Sequence, residues 1–159
     1  MPFQIGDKVA HPIYGAGILE DVIQKKVDGV ARDYYVMRLP SRSMEVMIPK
    51  ESSVEMGVRP VVDRVQADKL LAAIPGIQVE MTSNWNRRYQ ENLERLKSGN
   101  LIEVARVVKG LTLRDSKRGL STGERKMLQS ARQILVSELV LSKEQSHEEA
   151  EQELNTALA

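Results

Sequence analysis

The chain contains no cysteine. That excludes a disulfide framework, a thiolate metal site and a cysteine nucleophile, and it suits a reducing compartment. Aromatic residues are nearly as scarce, with one Phe and one Trp among 159 residues, so aliphatic side chains must fill the core. Only two histidines occur, His11 and His147, at opposite ends of the sequence and without a neighbour at ligand spacing. No Ser/His/Asp arrangement is apparent, so neither a metal centre, a cofactor, a small-molecule substrate nor catalysis is expected. No apolar run approaches the roughly 20 residues of a membrane span. The start "MPFQIGDKVA" lacks the basic flank and long apolar stretch of a signal peptide. A soluble, cytoplasmic protein without membrane contact is expected.

What is present is unevenly distributed. The formal net charge of +1 conceals three blocks. Residues 1–84 carry 10 Lys/Arg against 11 Asp/Glu, residues 85–132 carry 12 against 5, and residues 133–159 carry 1 against 6. The middle block, net +7, begins at the single tryptophan. Such a block is either a solvated basic face or a surface for a polyanion.

The first sixty residues read as short strands and turns. Asp28-Gly29 signals a hairpin, Tyr34 to Leu39 a strand, and "MEVMIP" alternates, with Met44, Val46 and Ile48 on one face and Glu45 and Met47 on the other. Glu20-Asp21 interrupts the pattern of the second strand and predicts a bulge. Gly15-Ala16-Gly17 lacks the longer glycine pattern of a phosphate loop and reads as a tight turn entering that strand. Beyond Gly57 and Pro60 the signals become helical. A helix ends at Pro75-Gly76, and another begins near Ser83 or Asn84 and runs to Ser98-Gly99. Asn100 caps a third, Ser121 with Glu124 forms a capping box for a fourth, and Ser142 with Gln145 can cap an acidic last helix. The expected fold is α+β: a small bent sheet or barrel over residues 1–58, a linker at 59–63, and a bundle of about five helices over 64–159.

The stretch "SNWNRRY" poses the functional question. Trp85, Tyr89, Leu93 and Leu96 share one helical stripe, which would make the indole a core residue. Trp85 also lies in the first turn, where that stripe runs off the helix end, beside Arg87 and Arg88 and a dipole that favours phosphates. In that case the ring is a candidate wedge against nucleic-acid bases. Arg125 and Lys126 sit in the first turn of the Ser121 helix, where cations do not help the helix. Lys117 and Arg118, in the preceding loop, extend the same basic set.

"TSNWNRRYQENLERLKSGN", "EVARVVKGL" and "RDSKRGLSTGERKMLQSARQILVSEL" resemble the signature of the CarD/CdnL family of bacterial transcription regulators. "FQIGDKVAHPIYGAGILE" and "RDYYVMRLP" resemble the module that this family shares with the transcription-repair coupling factor. The resemblance runs in order from Phe3 to about Leu141. It implies a Tudor-like domain that grips the β subunit of RNA polymerase, and a helical domain that meets promoter DNA, largely without sequence preference, at the upstream edge of the melted bubble. It also implies a cytoplasmic protein brought to the nucleoid through polymerase. Carried onto this chain, Trp85 is the wedge, and Arg87, Arg88, Arg125 and Lys126, with Lys117 and Arg118 beside them, hold phosphates. Lys25 and Met47, with Glu45 on the Met47 face, match positions that face polymerase. Met47 stands where an Arg is expected, and Gln90 lacks a charge that some relatives carry. The residues alone also leave room for a protein-only adaptor or an RNA- or ribosome-associated factor.

Overall fold

The computed structural model describes residues 3–40 and 42–159. Five strands come first: β1 (Lys8–His11), β2 (Gly15–Val27), β3 (Val30–Leu39), β4 (Met44–Pro49) and β5 (Arg59–Pro60). They form one antiparallel sheet in the order β4-β3-β2-β1-β5. Asp28 and Gly29 both adopt positive φ, 53° and 78°, and close the two-residue hairpin loop between Val27 and Val30. The register of β2 against β3 shifts between Leu19 and Asp21, which leaves Glu20 as the bulge residue. The extra residue resets the alternation. Leu19 and Val22, three apart, therefore both turn inward, opposite Met37 and Tyr35, while Glu20 and Asp21 stay exposed. Phe3, Val9, Leu39, Ile48 and Val58 complete this small core.

Helices follow: α1 (Arg64–Ala73), a 3₁₀ turn at Ile74–Gly76, α2 (Trp85–Lys97), α3 (Leu101–Arg118), α4 (Thr122–Lys143) and α5 (His147–Leu158). Each α-helix starts on an Asp, Asn or Ser whose side chain accepts a first-turn amide: Asp63, Asn84, Asn100, Ser121 and Ser146. Their apolar faces meet around Leu70, Val108, Leu111, Leu135, Leu139 and Leu154. The two-part α+β reading holds.

Five local expectations change. Gly15, Ala16 and Gly17 are not a turn before β2 but its first three residues, paired with His11, Ala10 and Val9. Arg59 and Pro60 do not belong to a linker, because they pair with Ala10 and Val9 at the sheet edge. Lys117 and Arg118 are the last turn of α3, not a loop. The last helix is capped by Ser146 and Glu149 in a reciprocal box, not by Ser142 and Gln145, because α4 runs on to Lys143 and stops at Glu144 in the left-handed region. The Ser121 box is only half formed. Ser121 Oγ accepts the Glu124 amide, but the Glu124 carboxylate turns to other partners.

The sheet is fastened to α4. Gly15, at φ +85°, lies so close to it that a Cβ there would stand 2.6 Å from Ser137 Oγ. Next to it the Ala16 amide donates to that hydroxyl at 2.9 Å. Arg59 donates to both oxygens of the buried Glu138 at 2.7 and 2.8 Å, and its Nε donates to the Gly99 carbonyl at 3.1 Å. Glu138 also accepts the Val62 amide at 3.0 Å, and Lys8 reaches the Leu141 carbonyl at 3.0 Å. A bidentate, charge-assisted pair fixes orientation as well as distance.

Candidate nucleic-acid interface

Asn84 ends its extended approach by accepting the Arg87 amide at 3.0 Å, and this sets Trp85 at the first helical position of α2. Further along the stripe, Tyr89, Leu93 and Leu96 pack against the helical core. Trp85 does not. Its side chain lies past the core and keeps 43% exposure. One face of the indole stacks on Tyr89, with ring centroids 5.2 Å apart and planes inclined by 18°. Its Nε1–H donates to Ser121 Oγ at 2.9 Å. The stripe is thus core-facing in its later turns, and its first turn carries the ring outward.

That hydrogen bond brings the start of α2 against the start of α4, with the end of α3 only a short loop away. Two helix N-termini, each with a positive dipole end, therefore meet at the indole. Arg87, Lys117, Arg118 and Arg125 are exposed in these terminal turns, and Lys126, exposed as well, follows the first turn of α4. Arg87 approaches Glu91 at 3.5 Å, and Arg125 leans toward Asp115 at 3.9 Å; both are surface contacts of small net value. Among the described residues, Lys117, Arg118 and Lys126 form no ion pair within 4.0 Å.

Arg88 corrects the expectation that it holds phosphate. It is 2% exposed, and four of its five N–H donors are occupied. Nε and Nη2 reach the Glu124 carboxylate at 2.7 and 3.1 Å, and Nη1 reaches the carbonyls of Thr82 and Ser83 at 3.1 Å each. Arg88 is on the inner side of α2, one residue beyond the exposed Arg87, so helical phase separates their roles. Its hydrogen bonds hold the Glu124 carboxyl below its ordinary value. The sequence marked Glu124 only as a helix cap and Ser121 likewise. A buried ion pair across 36 residues leaves no local pattern to read.

At the sheet, pairing of Lys25 with Arg32, Met47 with Val36 and Glu45 with Arg38 puts Lys25, Met47 and Glu45 on one outer face. All three are exposed. Glu45 stands beside a second carboxylate, Glu20. Hydrogen bonding to Glu20 and the repulsion of that neighbouring carboxylate push its carboxyl upward, while Arg38 pairs with Glu20 at 2.5 Å. Tyr34, Val36 and Ile23 lie between these polar groups, half-buried, so Met47 extends an apolar strip across the face.

Comparison with known proteins finds matches to both parts of the chain. The family description "CarD-like/TRCF RID domain" matches residues 3–62, and "CarD, C-terminal domain" matches residues 69–155. The chain belongs to the CarD family. The CarD match divides between the sheet and the helices, as the structure does. A relative from Bacillus subtilis (strain 168), named "Putative transcription factor YdeB", is 33% identical over 141 residues, which cover 89% of this chain and 92% of the relative. Membership of CarD makes this chain one of a family of transcription factors, whose first domain is shared with proteins of the RNA polymerase machinery. Among the described residues, no helix is long and apolar enough to cross a membrane.

Proposed function

We propose that the protein docks on the β subunit of RNA polymerase through the outer face of its sheet and applies Trp85 to promoter DNA at the upstream edge of the bubble, stabilising the open complex. One observation carries this reading: a half-exposed indole, stacked and hydrogen-bonded in place, stands among cations where two helix N-termini meet. A fixed aromatic edge suits a site where bases are already unstacked, and surrounding cations suit the phosphates on either side.

Magnitudes favour two grips over one. About four phosphate contacts give a salt slope of roughly −3.6, a loss of about 150-fold in affinity between 50 and 200 mM salt. DNA binding alone is then weak. Attachment to polymerase raises the local concentration of DNA, so a weak contact suffices. Trp85 shifts the promoter toward the open state only by the difference between its fit to the fork and its fit to closed duplex.

The test measures polymerase binding and open-complex lifetime with full-length variants. Trp85→Ala should leave polymerase affinity unchanged and shorten the lifetime about tenfold, given ~1–3 kcal/mol for stacking on an aromatic ring. Lys25→Glu should weaken polymerase binding without altering affinity for free forked DNA. A Trp85→Ala lifetime equal to wild type would remove the wedge from the reading. Preference for RNA over forked promoter DNA would favour an RNA-associated role instead.

A further inference from the structure

Ser121 is chemically saturated in an unusual way. Its Oγ accepts the Trp85 Nε1–H at 2.9 Å and the Glu124 amide at 3.2 Å, and its own hydrogen is directed to Glu124 Oε1 at 3.2 Å. A serine hydroxyl has two acceptor positions and one donor, so all three are used. Glu124 is buried and gripped by Arg88, and Arg88 returns to the carbonyls of Thr82 and Ser83, directly upstream of the helix that bears the tryptophan. The bonds therefore form a closed circuit: indole to Ser121, Ser121 to Glu124, Glu124 to Arg88, and Arg88 back to the backbone that precedes Trp85. Tyr89 supports the ring from one face.

We infer that Ser121 is the positioning residue of the tryptophan: the cap of α4 fixes the orientation of the ring that α2 projects. This inference rests on the proposed role of Trp85 at DNA and adds a property to it. The indole has one polar atom, a donor, and Ser121 already occupies it. What remains for a ligand is an apolar edge and face. Such a surface meets any unstacked base alike, so the contact discriminates by the shape of the junction and not by base-edge hydrogen bonds. The locked rotamer also means that the ring loses little freedom on binding.

The single tryptophan makes the test direct, because indole fluorescence reports on Trp85 alone. Ser121→Gly removes the hydroxyl, and glycine is tolerated at a helix N-cap, so loss of positioning is separated from loss of the cap. Ser121→Thr restores a hydroxyl acceptor. Ser146→Ala, which removes the cap of α5, controls for a general loss of helix stability. Time-resolved fluorescence anisotropy of the free, full-length protein should show an added nanosecond motion of the indole in Ser121→Gly, with wild-type behaviour in Ser121→Thr and Ser146→Ala. Open-complex lifetime should fall several-fold in Ser121→Gly, less than in Trp85→Ala, and recover in Ser121→Thr. An indole as rigid in Ser121→Gly as in wild type overturns the inference. So does a Ser121→Gly lifetime equal to wild type when Trp85→Ala shortens it. If Trp85→Ala itself changes nothing, the DNA reading fails, while the anisotropy still decides whether Ser121 positions the ring.

Discussion

Arg88 and Arg87 are neighbours in sequence with opposite surroundings, and only the phase of α2 separates them. Arg88 is a structural cation whose removal would leave the Glu124 carboxylate buried and unpaired. Arg88→Met should therefore cost about 3–5 kcal/mol in chemical denaturation, and adding Glu124→Leu should recover much of it. Because the folded Glu124 titrates lower than its unfolded value of 4.5, the pair stabilises above that pH, and this is lost as pH falls through the folded value. His11 gives a second titration at the seam between sheet and helices. Its Nδ1 accepts the Ile13 amide at 3.0 Å, its Nε2 is buried without a partner, and burial lowers its pKa from 6.5. Arg59 from β5 and Glu138 from α4 are the charged groups lining the same small cavity. A proton on Nδ1 would remove its acceptor, so the folded state resists protonation longer than the unfolded chain does. Stability from this residue is full above pH 6.5 and is lost as pH falls from there through the lowered folded value. Thermal melts from pH 7.5 to 5.5 should show this decline in wild type and a flatter profile in His11→Gln.

The helices were legible in the sequence wherever a cap and a stripe agreed. Asn84 and Asn100 announce α2 and α3, and the Asp28-Gly29 hairpin and the bulge at Glu20 follow from equally local chemistry. Misreadings arose where two local signals competed. Ser142 and Gln145 offered a cap four residues before Ser146 and Glu149, and burial of Leu139 and Leu141 carried α4 past the earlier choice. Of the candidate site, the tryptophan, its stripe and the exposed cations could be read. The Ser121 and Arg88 contacts could not, since they depend on α2 meeting α4. The first turn of α4 illustrates a conflict within one element. Lys126 stands just past that turn, where the positive end of the helix dipole has weakened, so Lys126→Glu should stabilise the fold by no more than ~0.3 kcal/mol. The same change should weaken binding to forked DNA at low salt. Thermal melts and DNA titrations on one sample would show the two effects with opposite sign. Equal or improved DNA affinity would remove Lys126 from the interface.

For the whole molecule, the distribution of charge and the fastening of the two halves matter together. The sheet is nearly neutral and the middle helices strongly basic, so each half suits a different kind of partner. Glu138→Gln should weaken the bidentate grip of Arg59 and lower stability, since truncating one partner of a buried charge pair is costly. Under the proposed function, the same variant should keep its affinity for polymerase and for free forked DNA, each measured alone. Its effect on open-complex lifetime should fall nonetheless. Retained lifetime would show that the seam is dispensable. The Arg59–Glu138 clamp and the Gly15–Ser137 approach thereby acquire a metrological meaning. With no loose tether between the two contacts, the span from sheet face to indole is a dimension of the folded chain, and polymerase would carry on its surface a caliper of preset opening, one jaw seated on protein and the other falling at one fixed place along the DNA.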